Sequence, residues 1–425
     1  MSGISGKMAA LHLVLLHHVL AALLLVGPAA GVGTITTIVP MPGKKDANAT
    51  ECQSWWSPSL VETRTNTTLL AALCKTPTRN LNYNFLVRSH DAGRTWGTPT
   101  LLAQFGEMVY SRTTGTLTMI LGPGHFSTGG KAKAGPTLQA GLTLQSQTDG
   151  APVMPQPAWA SELTQITPTQ QSNCESASVQ STDDGVTWTP WMQSKNLDST
   201  LRKPGWGLVF NGLPGGIQLV APSPHPGRLV VCSSAYWRGG AMDKHGNIVK
   251  AGDAGSRYSF TMLSDDHGAS WRIGSKQVQP YHTTECSVAQ SFDGGGALYM
   301  YTRIWAHKKG EPRRGIARST DGGETWDAAT LRGLGDTAPD CEGSMISAKV
   351  QGKSCFFVSS PWSTKRQNLT VQSSCGPGAP AVWSAPVVVD AAASSYSSLA
   401  FLQGQLLDLF MQKGGIGISE VPLPQ

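Results

Sequence analysis

Short runs of apolar residues, each closed by a polar turn, make up most of this chain. Two of them, Tyr83–Arg88 and Tyr258–Leu263, carry the aromatic and β-branched residues that are typical of strands. The sequence shows no strong amphipathic helix of useful length. This pattern predicts an all-β protein built from many short strands.

An eight-residue pattern, Ser-x-Asp-x-Gly-x-x-Trp, closes four of these runs. We expect its Asp to accept hydrogen bonds from backbone N–H groups one or two residues on, and its Gly to supply a positive φ. The Trp should begin the next strand and pack back over the turn. The repeat predicts a structural β-hairpin corner that recurs around one architecture. The four copies are Ser89–Trp96, Ser181–Trp188, Ser264–Trp271 and Ser319–Trp326.

Successive copies of this pattern, named here the Asp box, lie 92, 83 and 55 residues apart. The shortest interval suits a four-stranded propeller blade of about 50 residues. The longest interval contains residues 122–170, which are rich in Gly, Thr, Gln and Pro and carry few charges. We expect that stretch to be a low-complexity surface insertion, poorly ordered in part. A fifth, degenerate corner is expected at Ser373–Trp383, and the first and last strands should complete one blade together.

The composition is rich in turn residues and weakly charged. The 425 residues include 48 Gly and 27 Pro, which agrees with an all-β chain. Charged residues make up 14% of the chain, and the formal net charge is +6 without a block of like charge. A nucleic-acid partner is therefore not indicated, while a mildly basic balance favours an anionic substrate.

The first 30 residues have the features of a secretory signal peptide. Lys7 precedes an apolar run over residues 8–26, and small residues follow at 27–31. Histidines within the run weaken it as a permanent membrane span, although a signal anchor stays open as the alternative. No second apolar run of spanning length follows, so no stable membrane span is expected after signal removal. Residues 31–425 are then expected to form one propeller domain.

Three glycosylation sequons agree with a secretory destination. They begin at Asn48, Asn66 and Asn368, and each has the form Asn-x-Thr. We therefore expect a protein of the secretory pathway that is secreted, lumenal or at the cell surface.

The eight cysteines permit disulfides in an oxidising compartment. They show no CxxC spacing of the kind that binds zinc, and neither a metal nor a cofactor is expected. Cys52 with Cys74 and Cys355 with Cys375 are candidate pairs, because each pair flanks plausible neighbouring strands. Free buried thiols stay open as the alternative for several of the eight.

Several segments after the second Asp box occur in a characteristic order. They are Gly212–Leu219, Gly227–Val231, Thr284–Cys286, Tyr299–Arg303, Cys341–Ser344, Pro361–Thr370 and Ser395–Leu399. In this order and at these distances the chain resembles the exo-α-sialidases, or neuraminidases, of the bacterial and animal type. The resemblance covers about residues 52–425 apart from the insertion and is strongest from Gly212 onward. It implies a six-bladed β-propeller whose partners are sialylated glycans.

Four residues match positions that carry the chemistry of that family. Sialic acid has a carboxylate on its anomeric carbon, which would repel an Asp or Glu nucleophile, and sialidases use a Tyr instead. By resemblance Tyr396 is the nucleophile, and Glu285 is the base that takes its proton. Arg303 and Arg366 match two of the three arginines that bind the substrate carboxylate by charge-assisted hydrogen bonds. Taken singly these residues would be ordinary core or surface, and their joint spacing carries the assignment.

The first blade departs from the family pattern. Trp56 stands where the family has the first arginine of its triad, and residues 75–88, where its general acid lies, contain no carboxylate. An active sialidase would take the third cation and the acid from elsewhere in the chain. An enzyme with altered substrate or leaving-group preference and a binding protein without turnover are the other two accounts. The residues weighed as substitutes are Asp46, Lys75, Arg79, Asp91, Asp149 and Glu162.

The sequence thus predicts an exo-α-sialidase that releases terminal α-linked sialic acids from glycoproteins, glycolipids or oligosaccharides with retention of configuration. The alternative is a lectin-like, sialic-acid-binding propeller that has lost turnover. A further candidate is another function on the same fold, either an inverting glycosidase on neutral glycans or a protein-binding receptor domain. Arg303 and Arg366 oppose the glycosidase. The acid of the reaction is not assigned. Arg313, Arg314 and Arg318, near the fourth Asp box, are interpreted as ordinary strand-face charges.

Overall fold

The computed structural model is all-β in every part of the chain that it describes. The described residues are 35–40, 54–75, 82–102, 106–121, 177–189, 195–196, 206–209, 215–237, 241–242, 248–250, 257–274, 278, 283–304, 313–328, 334, 341–377, 379–412 and 415–424. Within them, no helix is long and apolar enough to cross a membrane. The expected signal peptide, the insertion, Asn48 and Cys52 lie outside these ranges.

The strands form antiparallel sheets that follow the order of the chain after β1 (Thr36–Pro40). The first sheet contains β2 (Ser54–Glu62), β3 (Thr68–Lys75), β4 (Asn82–Ser89) and β5 (Thr100–Leu102). The second contains β6 (Gly106–Ser111), β7 (Thr116–Leu121), β8 (Ala177–Ser181) and β9 (Lys195–Asn196). The third contains β10 (Trp206–Val209), β11 (Ile217–Gln218), β12 (Leu229–Trp237), β15 (Arg257–Ser264) and β16 (Arg272–Ile273). Between β12 and β15, the chain forms a separate hairpin of β13 (Ala241–Met242) and β14 (Ile248–Lys250).

The later strands continue this order. The fourth sheet contains β17 (Thr283–Gln290), β18 (Leu298–Ile304) and β19 (Arg314–Ser319). A last, seven-stranded sheet contains β20 (Ser344–Val350), β21 (Lys353–Pro361), β22 (Gln367–Cys375), β23 (Val387–Leu402), β24 (Gln405–Gln412), β25 (Gly415–Val421) and β1. The first part of β23 pairs with β22 and the second part with β24, so this long strand divides the last sheet into two.

The inner strands of successive sheets contact one another in a closed ring. β2 contacts β6, β6 contacts β12, β12 contacts β17, β17 contacts β20, β20 contacts β23, and β23 contacts β2 again. With the last sheet divided at β23, the described strands follow one another around this ring as the blades of a propeller do. The all-β propeller predicted from the sequence is therefore confirmed. Its number of blades, six by resemblance, stays a prediction for the whole chain.

The first and last strands complete one sheet together. β1 pairs antiparallel with β25, with Thr36 opposite Ile418 and Pro40 opposite Gly415. An apolar cluster that includes Leu409 then joins this sheet to the first one. The expectation that the two ends of the chain share a blade is confirmed.

The Asp boxes are tight corners, as predicted, but with different hydrogen-bond partners. In the first box, Asp91 accepts hydrogen bonds from the backbone N–H and the hydroxyl of Thr95, at 2.8 and 2.6 Å. The N–H is four residues on, so the expectation of one or two residues is wrong. The hydroxyl of Ser89 takes the nearer N–H groups, among them that of Gly93 at 2.8 Å. Gly93 has the predicted positive φ of 85°, and the Trp96 indole N–H donates to its carbonyl.

In the described part of the chain, two disulfides connect neighbouring strands. Cys355 and Cys375 are joined across β21 and β22, which confirms the expected pair. Cys232 and Cys286 join β12 to β17, a pair that the sequence did not indicate. Cys341 is a buried free thiol. The bridge to β12 holds the beginning of β17 against the preceding sheet.

A fully buried carboxyl lies between β21 and β24. Asp408 accepts a hydrogen bond from the hydroxyl of Ser359 at 2.5 Å, and its other oxygen has no partner within the described ranges. Burial raises the pKa of Asp408 to about 7. The folded protein therefore holds a proton on this side chain over a range in which an exposed carboxyl has lost it.

Replacing Asp408 with Asn is expected to remove a pH dependence of stability. The folded state keeps the proton up to about pH 7, whereas the unfolded chain releases it near about pH 4. The free energy of unfolding should therefore fall as the pH rises through that window. We expect the variant to equal the wild type at about pH 4 and to be more stable by roughly 2 to 4 kcal/mol at about pH 8.

Urea unfolding at these two pH values measures the effect. Asp293→Asn, at an exposed position, is the control and should keep the wild-type fall in stability between these two pH values. A gain for Asp408→Asn that is the same at both pH values would contradict the prediction.

Candidate active site

Glu285, Arg303 and Arg314 lie at one end of the sheet formed by β17, β18 and β19. Arg303 is opposite Arg314 across β18 and β19, whereas Leu298, at the other end, is opposite Ser319. Ser319 is the first residue of the fourth Asp box. The box and the charged side chains are therefore at opposite ends of the same strands.

Glu285 and Tyr396 both occupy irregular positions in their strands. The register of β17 against β18 shifts just before Cys286, and that of β23 against β24 shifts just before Ser397. Such a bulge bends its strand and changes the direction of the side chain within it. Side chains that are 111 residues apart in the chain thereby come into contact.

The Glu285 carboxylate is oriented from both sides. Its Oε1 accepts a hydrogen bond from the Tyr396 hydroxyl at 2.7 Å, and its Oε2 accepts one from Arg303 at 2.5 Å. Each of the three residues is at most 8% exposed. One carboxylate oxygen is thus placed to receive the phenol proton, while a charge-assisted hydrogen bond fixes the other.

Arg366 joins this group from the turn before β22. Its guanidinium carbon lies 5.3 Å from the centre of the Tyr396 ring, within the range of a cation–π contact. Its backbone carbonyl accepts the N–H of Ser394 at 3.1 Å, which ties the turn to β23. The structure therefore brings together all four residues that the sequence singled out.

The Tyr396 phenol is protonated in the resting site. Burial raises its pKa well above the ordinary value, and the neighbouring Glu285 and Glu342 carboxyls raise it further. Free phenolate is therefore scarce near neutral pH. The oxygen would become nucleophilic only as its proton passed to Glu285, so the two residues would act as one unit.

Arg314 is not the strand-face charge that we predicted. Its side chain is 1% exposed, and its guanidinium donates to the backbone carbonyls of Cys341 and, at 3.3 Å, Glu342. It also lies 5.6 Å from the centre of the Tyr301 ring. The prediction is wrong because the segment before β20 covers the end of β19. Arg318, by contrast, is exposed as expected.

Glu342 is a carboxyl of this site that sequence reasoning did not single out. It is fully buried, and burial, followed by the nearby Glu285 and Cys341, raises its pKa well above the ordinary value. Its segment, Cys341–Ser344, was among those that carried the family resemblance. Membership of that segment could have indicated that Glu342 belongs to the site. Nothing in the residue type, however, showed that its side chain is buried.

Among the candidates for the missing arginine and acid of the first blade, only Asp91 has a described side chain. Asp91 is bound in its Asp box, where hydrogen bonds from Thr95 lower its pKa to about 2, so it is not suited to be a general acid. Trp56 and Lys75 lie in β2 and β3, and their side chains are outside the described structure. The other candidates lie outside the described ranges altogether: Asp46, Arg79, Asp149 and Glu162.

The chain has relatives among known proteins. A family model described as a BNR repeat-like domain matches residues 157–409. The chain is 28% identical to the sialidase of Micromonospora viridifaciens over 245 residues, which span 55% of this chain and 33% of that protein. It is 27% identical to the sialidase of Paraclostridium sordellii over 290 residues, which span 61% of this chain and 60% of that protein. The chain thus covers less than two thirds of the length of these curated relatives.

A solved structure shows the same architecture. The Hadza microbial sialidase Hz136 matches with a TM-score of 0.62 at 20% sequence identity, over 88% of this chain and 66% of that one. The match confirms the propeller of the sialidase type. Because a fold supports many functions, the chemistry has to be argued from the site itself.

Proposed function

The chain belongs to the family of BNR repeat-like domain proteins, and from its site we propose that it is an exo-α-sialidase that acts with retention of configuration. The hydrogen bond of 2.7 Å from Tyr396 to Glu285 carries the proposal. It pairs a buried phenol with a base, which is the arrangement of an activated nucleophile. The two relatives described above are both named sialidases, which supports the same substrate class.

Substrate binding is proposed to rest on Arg303 and Arg366. Both guanidinium groups lie beside the Tyr396–Glu285 pair. A guanidinium can donate two parallel hydrogen bonds to a carboxylate, which selects an anionic sugar over a neutral one. A sialic acid bound in this way would present its anomeric carbon to the Tyr396 oxygen, because its carboxylate is attached to that carbon.

In the first half of the reaction, the Tyr396 oxygen forms a bond to the anomeric carbon while its proton passes to Glu285 Oε1. The bond from that carbon to the leaving oxygen breaks, and the leaving oxygen takes a proton from a donor that is not assigned. A Tyr is suited to this step because it is neutral where a second carboxylate would repel the substrate.

In the second half, a water molecule attacks the same carbon from the side that the leaving group vacated. The bond to the Tyr396 oxygen breaks, and that oxygen recovers its proton from Glu285. The remaining proton of the water passes to solvent. Two displacements at one carbon give net retention of configuration.

The substrates are proposed to be sialylated glycoproteins, glycolipids, gangliosides among them, and oligosaccharides of the secretory pathway or the cell surface. The disulfides Cys232–Cys286 and Cys355–Cys375 support an oxidising compartment. Asn66 lies exposed in the turn between β2 and β3, where it is accessible for glycosylation. Asn368 is partly exposed near the beginning of β22.

Nuclear magnetic resonance during hydrolysis of an α-linked aryl sialoside tests the proposal. We expect the α-anomer of free sialic acid to appear first and then to equilibrate with the β-anomer. Initial release of the β-anomer would exclude the retaining mechanism. Saturable binding of sialosides without release of sugar at any pH from about 4 to about 8 would favour the lectin-like alternative.

A further inference from the structure

Glu342 is a carboxyl for which the proposed mechanism has no use. Its side chain is completely buried, and neither of its carboxyl oxygens has a hydrogen-bond partner in the described part of the chain. A buried ionised carboxylate without a partner costs several kcal/mol. Buried polar groups are ordinarily paired, so an unpaired one beside a catalytic group requires an explanation.

The backbone around Glu342 is held in place and keeps the side chain inside. The Arg314 guanidinium binds the carbonyls of both Cys341 and Glu342. At the next residue, a Cβ added to Gly343 would lie 2.6 Å from the Tyr301 ring and 2.8 Å from the carbonyl oxygen of Ser359. The backbone next to Glu342 is therefore closely packed, and the Glu342 side chain is fully buried.

The charged and titratable groups around Glu342 come from several strands. Glu285 on β17, Arg303 on β18 and Arg314 on β19 all act on it, together with the adjacent thiol of Cys341. In turn Glu342 acts on Tyr396 of β23. Burial raises the pKa of the Cys341 thiol to about 11, so that group stays neutral over the working pH range.

We infer that Glu342 is a specificity-determining residue, a carboxyl that has to be neutral for the arginines of the site to accept the carboxylate of a sialic acid. When Glu342 is neutral, it adds no negative charge to that of Glu285 beside the guanidinium groups of Arg303 and Arg314. When Glu342 ionises, a second negative charge is added in a region from which water is excluded. The inference rests on the proposed function, because the ligand it names is the sialic acid carboxylate.

The expected effect is on binding rather than on the chemical step. Charges interact strongly where the dielectric constant is low, and a coupling of one pKa unit corresponds to a tenfold change in affinity. We expect the dissociation constant of free sialic acid to rise by about tenfold or more in the wild type as Glu342 ionises, and by less than about twofold in Glu342→Gln. Glu342→Met, which is neutral and of similar length, should behave like Glu342→Gln.

Calorimetric titration with free sialic acid from about pH 5 to about pH 9 measures this difference. Asp408→Asn is the matched control. Asp408 is also a buried carboxyl with a raised pKa, but its hydrogen bond is to Ser359 and it is not among the contacts described for Tyr396. This control should keep the wild-type dependence of binding on pH. Binding profiles that coincide for the wild type and both Glu342 variants would overturn the inference.

Infrared difference spectra give a second readout that needs no ligand. The spectra are recorded in the Asp408→Asn background, because Asp408 is a second buried acid that is neutral at about pH 5. There the carbonyl band of a neutral carboxylic acid should be present at about pH 5, decrease as the pH rises, and be missing once Glu342→Gln is added. If the Glu342 variants do not change this band, the assignment of a neutral Glu342 is wrong. If the band titrates as expected but sialic acid does not bind at any pH, the proposed function fails and the ligand named here fails with it.

Discussion

Tyr396→Phe is expected to lower kcat for sialoside hydrolysis by roughly 10³-fold or more, because it removes the attacking oxygen. The ring and its contact with Arg366 remain, so the affinity for free sialic acid should change by less than about threefold. Glu285 loses one hydrogen bond but stays bound to Arg303. A large fall in kcat with little change in binding separates a nucleophile from a residue that only shapes the pocket.

Tyr110→Phe is the matched control for this variant. Tyr110 and Tyr396 are both 6% exposed, and the Tyr110 hydroxyl also takes part in one hydrogen bond, from the backbone N–H of Arg64. Loss of that hydroxyl should leave kcat within about twofold of the wild type. Steady-state kinetics and calorimetry on both variants provide the measurements. A Tyr396→Phe protein with a kcat within tenfold of the wild type would remove Tyr396 from the mechanism.

The second large effect is expected from the leaving group of the substrate. Two described carboxyls act on Tyr396: Glu285, the base in the proposed mechanism, and Glu342, which is fully buried. Residues 75–88 add no carboxylate to the chain at the place where the sialidase family has its acid. Protonation by a positioned acid contributes about 10² to 10⁴ in rate. An aryl leaving group departs without protonation. Aryl sialosides should therefore be cleaved about 10² to 10⁴ times faster than sialyl-galactosides.

A series of aryl sialosides with leaving groups of different pKa measures this dependence through kcat/KM. We expect a steep decrease in rate as the pKa of the leaving phenol rises. Glu285→Gln should lower the rates for aryl and sugar leaving groups by the same factor, because Glu285 acts on Tyr396 and not on the leaving oxygen. A rate for sialyl-galactosides within about tenfold of the aryl rate would mean that the chain supplies an acid in residues outside the described ranges.

The Asp boxes could be predicted from the sequence because their hydrogen bonds are local. Ser89, Asp91 and Thr95 bind one another within one short turn, so the residue types at fixed spacing determine the geometry. Repetition of that turn led to the propeller. The exact N–H partner of Asp91 was missed, because the Ser hydroxyl competes for the nearer donors.

The site is a different case, because its contacts are between residues far apart in the chain. Tyr396 and Glu285 were found through the family resemblance and not through any local pattern. Arg314 and Glu342 were missed because burial depends on what covers a residue, and here each is covered by segments of other sheets. The same holds for Cys232 and Cys286, which are 54 residues apart and meet only once the ring has formed.

The pairing of β1 with β25 sets a limit on proteolytic maturation of the protein. β1 is the outermost strand of its sheet, so its five residues cover the N–H and C=O groups along the edge of β25. A protease that removes the expected signal peptide near residue 30 would leave this cover in place. A cut beyond Pro40 would expose the edge of β25, and an uncovered edge is a template for association with other chains. Removal of the expected signal peptide by a cut before Thr36 should therefore leave the edge of β25 covered.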